Sequence, residues 1–197
     1  EINGVFYGLT SNGGTGFGNL FMFNPTNNTY TSVHTFNGAQ GKFPFGDLVQ
    51  MDGLLYGMTT TANTHPGVLF RFDPNLLTFE VMHYFSGGMA DGGSPYGSLV
   101  IRNGILYGMT RDGGNQSQGT IFRYDPAGIG SYSVIYELAN SFGGNPEGSL
   151  TVVGNQLFGM TKLGGSFGGG VIFKLDSDNM NYQVLKHFNN VSGRSPF

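Results

Sequence analysis

Four versions of one phrase divide the chain: FYGLT at Phe6–Thr10, LYGMT at Leu55–Thr59, LYGMT again at Leu106–Thr110, and LFGMT at Leu157–Thr161. Tyr7 and Tyr56 stand 49 residues apart, and the steps on to Tyr107 and Phe158 are 51 each. Self-similarity at a fixed period of roughly 20–50 residues means one supersecondary unit used repeatedly, each copy burying its apolar faces against its neighbours. The units fall at about residues 1–45, 46–96, 97–147 and 148–197.

The third unit shows what each copy folds into. Four short runs, Ser98–Ile101, Ile105–Thr110, Thr120–Tyr124 and Tyr132–Leu138, are β-branched or aromatic and are bounded by Asn-Gly, Asp-Gly-Gly, Asp-Pro or Gly-Gly. Such runs with such punctuation predict strands, and no stripe of helical period lies between them. Asn103-Gly104 and Asp52-Gly53 are dipeptides that tolerate the positive φ of a two-residue hairpin. FRYDP at Phe122–Pro126, with FRFDP, FMFNP and FKLDS in the other units, places an Asp or Asn where it can accept a turn N–H. One unit is therefore a four-stranded antiparallel meander. Strand two is apolar on both faces, Ile105, Tyr107 and Met109 on one and Leu106 and Gly108 on the other, so both faces are expected to be covered. Gly108 and its counterparts Gly8, Gly57 and Gly159 are expected where a ring from the adjacent sheet approaches the backbone.

Four-stranded units of about 40–50 residues predict an all-β fold, a β-propeller. The competing β-solenoid has shorter rungs without hairpins. In the alignment of the units Glu1 matches Gln50, and Phe197 matches Tyr96 and Phe45, so the first unit lacks the counterpart of Gly46-Asp47-Leu48-Val49. An inner strand is thus expected to be missing, leaving a sheet edge open to strand addition and self-assembly unless other residues fill it.

Composition excludes several functions. Glycine supplies 35 of 197 residues, against an ordinary share of roughly 7%, and charged residues only 11%. Nine basic and twelve acidic residues give a net charge of −3 with no run of one sign, which argues against a nucleic-acid partner. No apolar run of about 18 residues is present, so no membrane span is expected. With no cysteine there is no disulfide and no thiolate metal site. No cofactor and no metal site is expected.

LYGMT, the Gly-Gly loops, GTIFRYDP and GGSPYGSLV, in this order and spacing, resemble the Gloeo/Verruco tandem repeat family, and more distantly kelch repeats. The resemblance spans Val5 to Phe197. It implies a propeller carried on secreted or surface-anchored bacterial proteins, hence an extracellular or cell-surface address, and it brings no catalytic residue. Only Asp91–Tyr96 comes near the family's usual DGANPY-like loop.

Motifs that mimic chemistry fail on context. Gly164-Gly165-Ser166-Phe167-Gly168 matches G-x-S-x-G, but a nucleophile elbow needs a helix after it and a strand is predicted there. Asp176-Ser177-Asp178-Asn179 lacks the glycine and glutamate of a calcium loop and aligns with the Asp-Pro turns. His34 and His83 share one position in strand four and are expected to be partly exposed structural residues. Arg71, Arg123 and Lys174 each stand two residues before an Asp, which predicts local ion pairs at the turns.

In a propeller, the loops joining strands two and three and those joining strand four to the next strand one converge at one end. The candidates for ligand binding are His65, Arg111, Asp112, Lys162 and Phe167 in the first set, and Lys42, Asp91, Glu147 and Arg194 in the second. They differ from unit to unit where the scaffold repeats. The chain reads as a non-catalytic module for binding or assembly, its partner another protein or a further copy. A glycan-binding propeller is the first alternative, with Phe17, Phe142 and Phe167 free to stack on a sugar. A hydrolase or lyase with a site in the central funnel is the second.

Overall fold

The computed structural model describes residues 1–128 and 131–196. Phe197, matched above to Tyr96, lies outside them. The described residues contain no helix, and thus none that could cross a membrane.

Each repeat is one sheet. The first holds β1 (Phe6–Thr10), β2 (Asn19–Asn24) and β3 (Thr29–Thr35), preceded only by an Ile2–Val5 bridge, so it has three strands. The second runs β4 (Val49–Met51), β5 (Leu54–Thr59), β6 (Val68–Asp73) and β7 (Thr78–Tyr84). The short strands β8 (Gly92–Gly93) and β11 (Asp112–Gly113) pair with each other, tying the loop that leaves one sheet to a loop of the next. The third sheet is β9 (Val100–Arg102), β10 (Ile105–Thr110), β12 (Thr120–Asp125) and β13 (Ser131–Glu137); the fourth is β14 (Thr151–Val153), β15 (Gln156–Thr161), β16 (Val171–Asp176) and β17 (Tyr182–His187). Every pairing is antiparallel between strands consecutive within a sheet.

The turns follow the sequence chemistry. Asn103 and Gly104 have φ of 51° and 74°, the two positive values of a hairpin turn that matches strand twist. Asp73 Oδ1 accepts the N–H groups of Asn75 and Leu76, and Asp176 Oδ1 those of Asp178 and Asn179, so Asp176-Ser177-Asp178-Asn179 is an ordinary turn. Among the described residues Arg71 does not pair with Asp73 as expected but reaches across to Glu80 of β7, at 2.6 Å, and Arg123 also reaches across, to the Ser133 hydroxyl. The Asp carboxylates are taken by backbone donors, and the facing residue of the partner strand is the nearer neighbour.

The sheets stack in chain order through three cores. Leu20, Phe36, Phe70 and Phe72 join the first to the second; Met58, Phe85, Leu106 and Phe122 the second to the third; Tyr107, Ile121, Leu157 and Phe173 the third to the fourth. Strand two thus faces two cores at once, Leu106 in one and Tyr107 and Met109 in the next. A fully buried side chain such as Phe122 stabilises the fold by about 1.5–3 kcal/mol. The ring over Gly108 is that of Phe122, its partner across the β10–β12 ladder, and so comes from the same sheet, not from the adjacent one as expected. Gly8, Gly57 and Gly159 face Phe21, Phe70 and Phe173 in the same way. The ring folds flat over its own ladder because the glycine leaves room there.

The inner strands converge. Gly46 lies against the Gly97 carbonyl and Gly97 against that of Gly148, with no space for a Cβ. The Ser98 hydroxyl accepts the Asp47 N–H and the Ser149 hydroxyl the Ser98 N–H, both at 2.8 Å. Sheets stacked face to face with inner edges gathered in this way are the blades of a β-propeller.

Candidate functional site

The loops at the convergent end are built on one backbone device repeated along the chain. Phe43, Ser94, Asn145 and Ser195 all have φ between 50° and 55°, and each precedes a proline. Each donates its N–H back to the preceding blade: Phe43 to Phe17, Ser94 to Pro66, Asn145 to Gln118, Ser195 to Gly169. In three of them the carbonyl accepts from the blade's own strand-two loop, Phe43 from Thr60, Ser94 from Arg111 and Asn145 from Lys162. Left-handed conformations are uncommon for residues other than glycine, and here two-way bonding holds them. The latch fixes the distance between the residue two places on, Phe45, Tyr96 or Glu147, and the residue following strand two.

The result is a belt of side chains across three blades. Phe45 and Tyr96 stack with ring centroids 5.5 Å apart. The Arg111 guanidinium lies 5.6 Å from the centre of the Tyr96 ring. Glu147 takes the Lys162 ammonium on both carboxylate oxygens, at 3.0 and 2.9 Å, and has Arg111 Nε at 3.7 Å. That Nε is buried without a hydrogen-bond partner, although the Arg111 side chain as a whole is 40% exposed. Below the belt, Gly46, Ser98, Gly148 and Ser149 help to line a cavity of about 470 Å³.

Three of the nine sequence candidates, Arg111, Glu147 and Lys162, are therefore brought together. The other six stand apart from the belt. Lys42 places its ammonium 4.6 Å from the centre of the Phe17 ring. His65 bonds the Thr64 hydroxyl and packs on Tyr84. Asp112 is held in the β8–β11 pairing. Arg194 bonds Asn190, and Phe167 is 60% exposed in its glycine-rich loop. Asp91 is bonded to His83 Nε2 and to the N–H groups of Ser86 and Gly92. Burial opposes the charged form of Asp91, but the bonds from His83, the Ser86 N–H and the Tyr132 hydroxyl outweigh it and hold its carboxyl down at about 2. Phe45 and Tyr96 were not among the candidates. The signal was there in the repeat alignment, since 45, 96 and 147 are one position occupied by Phe, Tyr and Glu.

The Ser98 and Ser149 hydroxyls beneath the belt accept backbone N–H groups, the Asp47 carboxylate lines the same cavity 3.5 Å from the Ser98 hydroxyl, and the Glu147 carboxylate is engaged by lysine.

A sequence model of the Gloeobacter/Verrucomicrobia repeat matches residues 1–105 and again 61–197, which together take in the whole chain. The chain belongs to that repeat family. No curated protein sequence matches it. Among solved structures, this member of the Gloeobacter/Verrucomicrobia repeat family is similar to one in a nidogen/laminin complex, with a TM-score of 0.65 and 13% identity over 98% of this chain and 62% of that one. TolB from Acinetobacter baumannii follows, with a TM-score of 0.55 and 12% identity over 86% of this chain and 38% of that one. A puromycin-hydrolyzing peptidase of Mycobacterium tuberculosis gives 0.55 and 10%, over 92% of this chain and 29% of that one. At such identities the likeness is one of fold. The repeat chain spans less than two thirds of the length of each of these structures.

Proposed function

We propose that this repeat module is a non-catalytic binding domain, extracellular or displayed at a bacterial surface, whose partner is a protein that docks on the belt around Arg111. One observation carries this: the backbone latch beneath the belt is the same in successive blades, while the residues it presents change from Phe45 to Tyr96 to Glu147, and the position after strand two changes from a buried Thr60 to the half-exposed Arg111 and Lys162. A scaffold position repeats because the fold needs it; a presented position that varies is free to serve a ligand. Tyrosine and arginine, half-exposed and stacked, are among the residues that dominate binding energy at protein interfaces, and phenylalanine is enriched there. The address rests on the family's association with secreted and surface-anchored proteins. The nidogen/laminin complex supports a binding role by analogy of fold alone.

The test is affinity capture from bacterial culture supernatant and envelope fractions, comparing the native chain with Arg111→Glu/Lys162→Glu. A defined protein retained by the native chain and lost with the double variant is the expected result. Retention that ignores the double variant, or turnover of ester, peptide or glycoside substrates by the purified chain, would overturn it.

A further inference from the structure

The loop that leaves the outer strand of one blade lies differently at the second–third and third–fourth blade interfaces. At the interface of the second and third blades, His83 of β7 stacks on Tyr132 of β13, with centroids 3.9 Å apart. The loop from Phe85 to Gly92 then folds Asp91 against them, its carboxylate bonded to His83, Ser86 and Gly92. At the interface of the third and fourth blades Tyr136 stacks on Tyr182 in the equivalent way, centroids 4.0 Å apart. Six residues separate Phe85 from Gly92, whereas four separate Leu138 from Gly143, as they do Phe36 from Gly41. Immediately before the glycine, Phe142 takes the place of Asp91. Its carbonyl accepts the Tyr182 hydroxyl at 2.7 Å, and its ring, 51% exposed, does not fill the groove.

What remains is a cavity of about 470 Å³, within the size range of small-ligand sites. Its lining includes the rings of Phe142, Tyr136 and Tyr182, together with Ser166, Asn181 and His187. No Asp, Glu, Lys or Arg lines it. His187 Nδ1 accepts the Ser166 N–H at 3.1 Å, so the imidazole carries its proton on Nε2 and presents a donor there. The Asn181 amide adds two donors and an acceptor, the Ser166 hydroxyl one donor and an acceptor. Aromatic surface for C–H faces, surrounded by uncharged groups that both donate and accept, suits a ligand rich in hydroxyls and without ionised groups.

We infer that the outer groove between the third and fourth blades is a binding site for a neutral saccharide, seated against Phe142 and hydrogen-bonded by Asn181, Ser166 and His187. The site is separate from the belt at Arg111 and does not depend on what binds there. It also gives the Gly164–Gly168 loop a role as a wall of the groove.

The probes are cellotriose, maltotriose and chitotriose at millimolar concentration, titrated against the whole chain by saturation-transfer NMR and calorimetry. At least one should bind saturably, with transfer from aromatic protons and with little dependence on salt. Phe142→Ala and Asn181→Ala, both at exposed positions, should each weaken it about tenfold while Glu80→Gln, on the second blade, leaves it unchanged. Thermal melts of the variants separate lost binding from lost fold, and the Asn181 variant serves if the Phe142 variant is unstable. Failure of all three sugars to bind, or binding indifferent to both substitutions, would overturn the assignment.

Discussion

The His34 ring lies flat on Phe79 of the next blade, with centroids 3.7 Å apart and planes 3° from parallel. The same outer-strand positions stack at the other two interfaces, as His83 on Tyr132 and Tyr136 on Tyr182. Aromatic contact at the rim thus repeats where the residue types do not. Burial lowers the His34 pKa to about 4, and its Nε2 has no hydrogen-bond partner. An unfolded chain binds the histidine proton at about 6.5, so between about pH 6.5 and 4 it takes up more protons than the folded one. Stability is therefore full above about pH 6.5 and falls as the pH drops to about 4, by an estimated ~1–3 kcal/mol. Urea denaturation across this range should show the slope, and His34→Phe should flatten it while keeping the stack.

Asp91 acts in a lower window. With its folded pKa held at about 2, its contribution is present above the ordinary carboxylate value of about 4 and is lost as the pH falls from about 4 to 2. Asp91→Asn should lower stability at neutral pH by about 1–3 kcal/mol and remove that part of the acid transition. Denaturant melts at pH 7 and pH 3 check both statements.

Gly108 has an ordinary negative-φ backbone, so a substitution there tests packing alone. A Cβ at Gly108 would stand 2.5 Å from Phe122 Cζ and 2.8 Å from Cε1. Gly108→Ala should destabilise by about 1–3 kcal/mol, and pairing it with Phe122→Leu should give less than the sum of the two single effects. Full additivity in thermal melts would contradict the flat-ring contact.

At the belt, Lys162 and Arg111 are each 40% exposed, so their attraction to Glu147 is screened by water. Glu147→Gln should change stability by less than about 1 kcal/mol, with a coupling to Lys162 that shrinks further in high salt. Binding should respond where stability does not.

Much of the architecture was legible because each unit repeats the same instructions. Ile105–Thr110 is a strand with the bounds its sequence suggests, and Asn103-Gly104 makes the turn that such a pair favours. The belt was half legible. Arg111, Glu147 and Lys162 stood out by charge, but Phe45 and Tyr96 looked like more of the aromatic core. Their exposure depends on the left-handed residues Phe43 and Ser94, and neither Phe nor Ser advertises that conformation. The rim groove was illegible for a related reason: the loop from Leu138 to Gly143 has the same length as that from Phe36 to Gly41, and what such a loop leaves uncovered depends on the neighbouring blade.

The most direct measurement is the hydrogen-exchange footprint of the captured partner on the native chain. Protection should concentrate on the segments carrying Phe45, Tyr96 and Arg111, and Glu147 and Lys162, with the Asp52-Gly53 and Asn103-Gly104 turns at the opposite ends of the inner strands unchanged. Protection confined to those turns would place the partner on the other face and contradict a binding role for the belt.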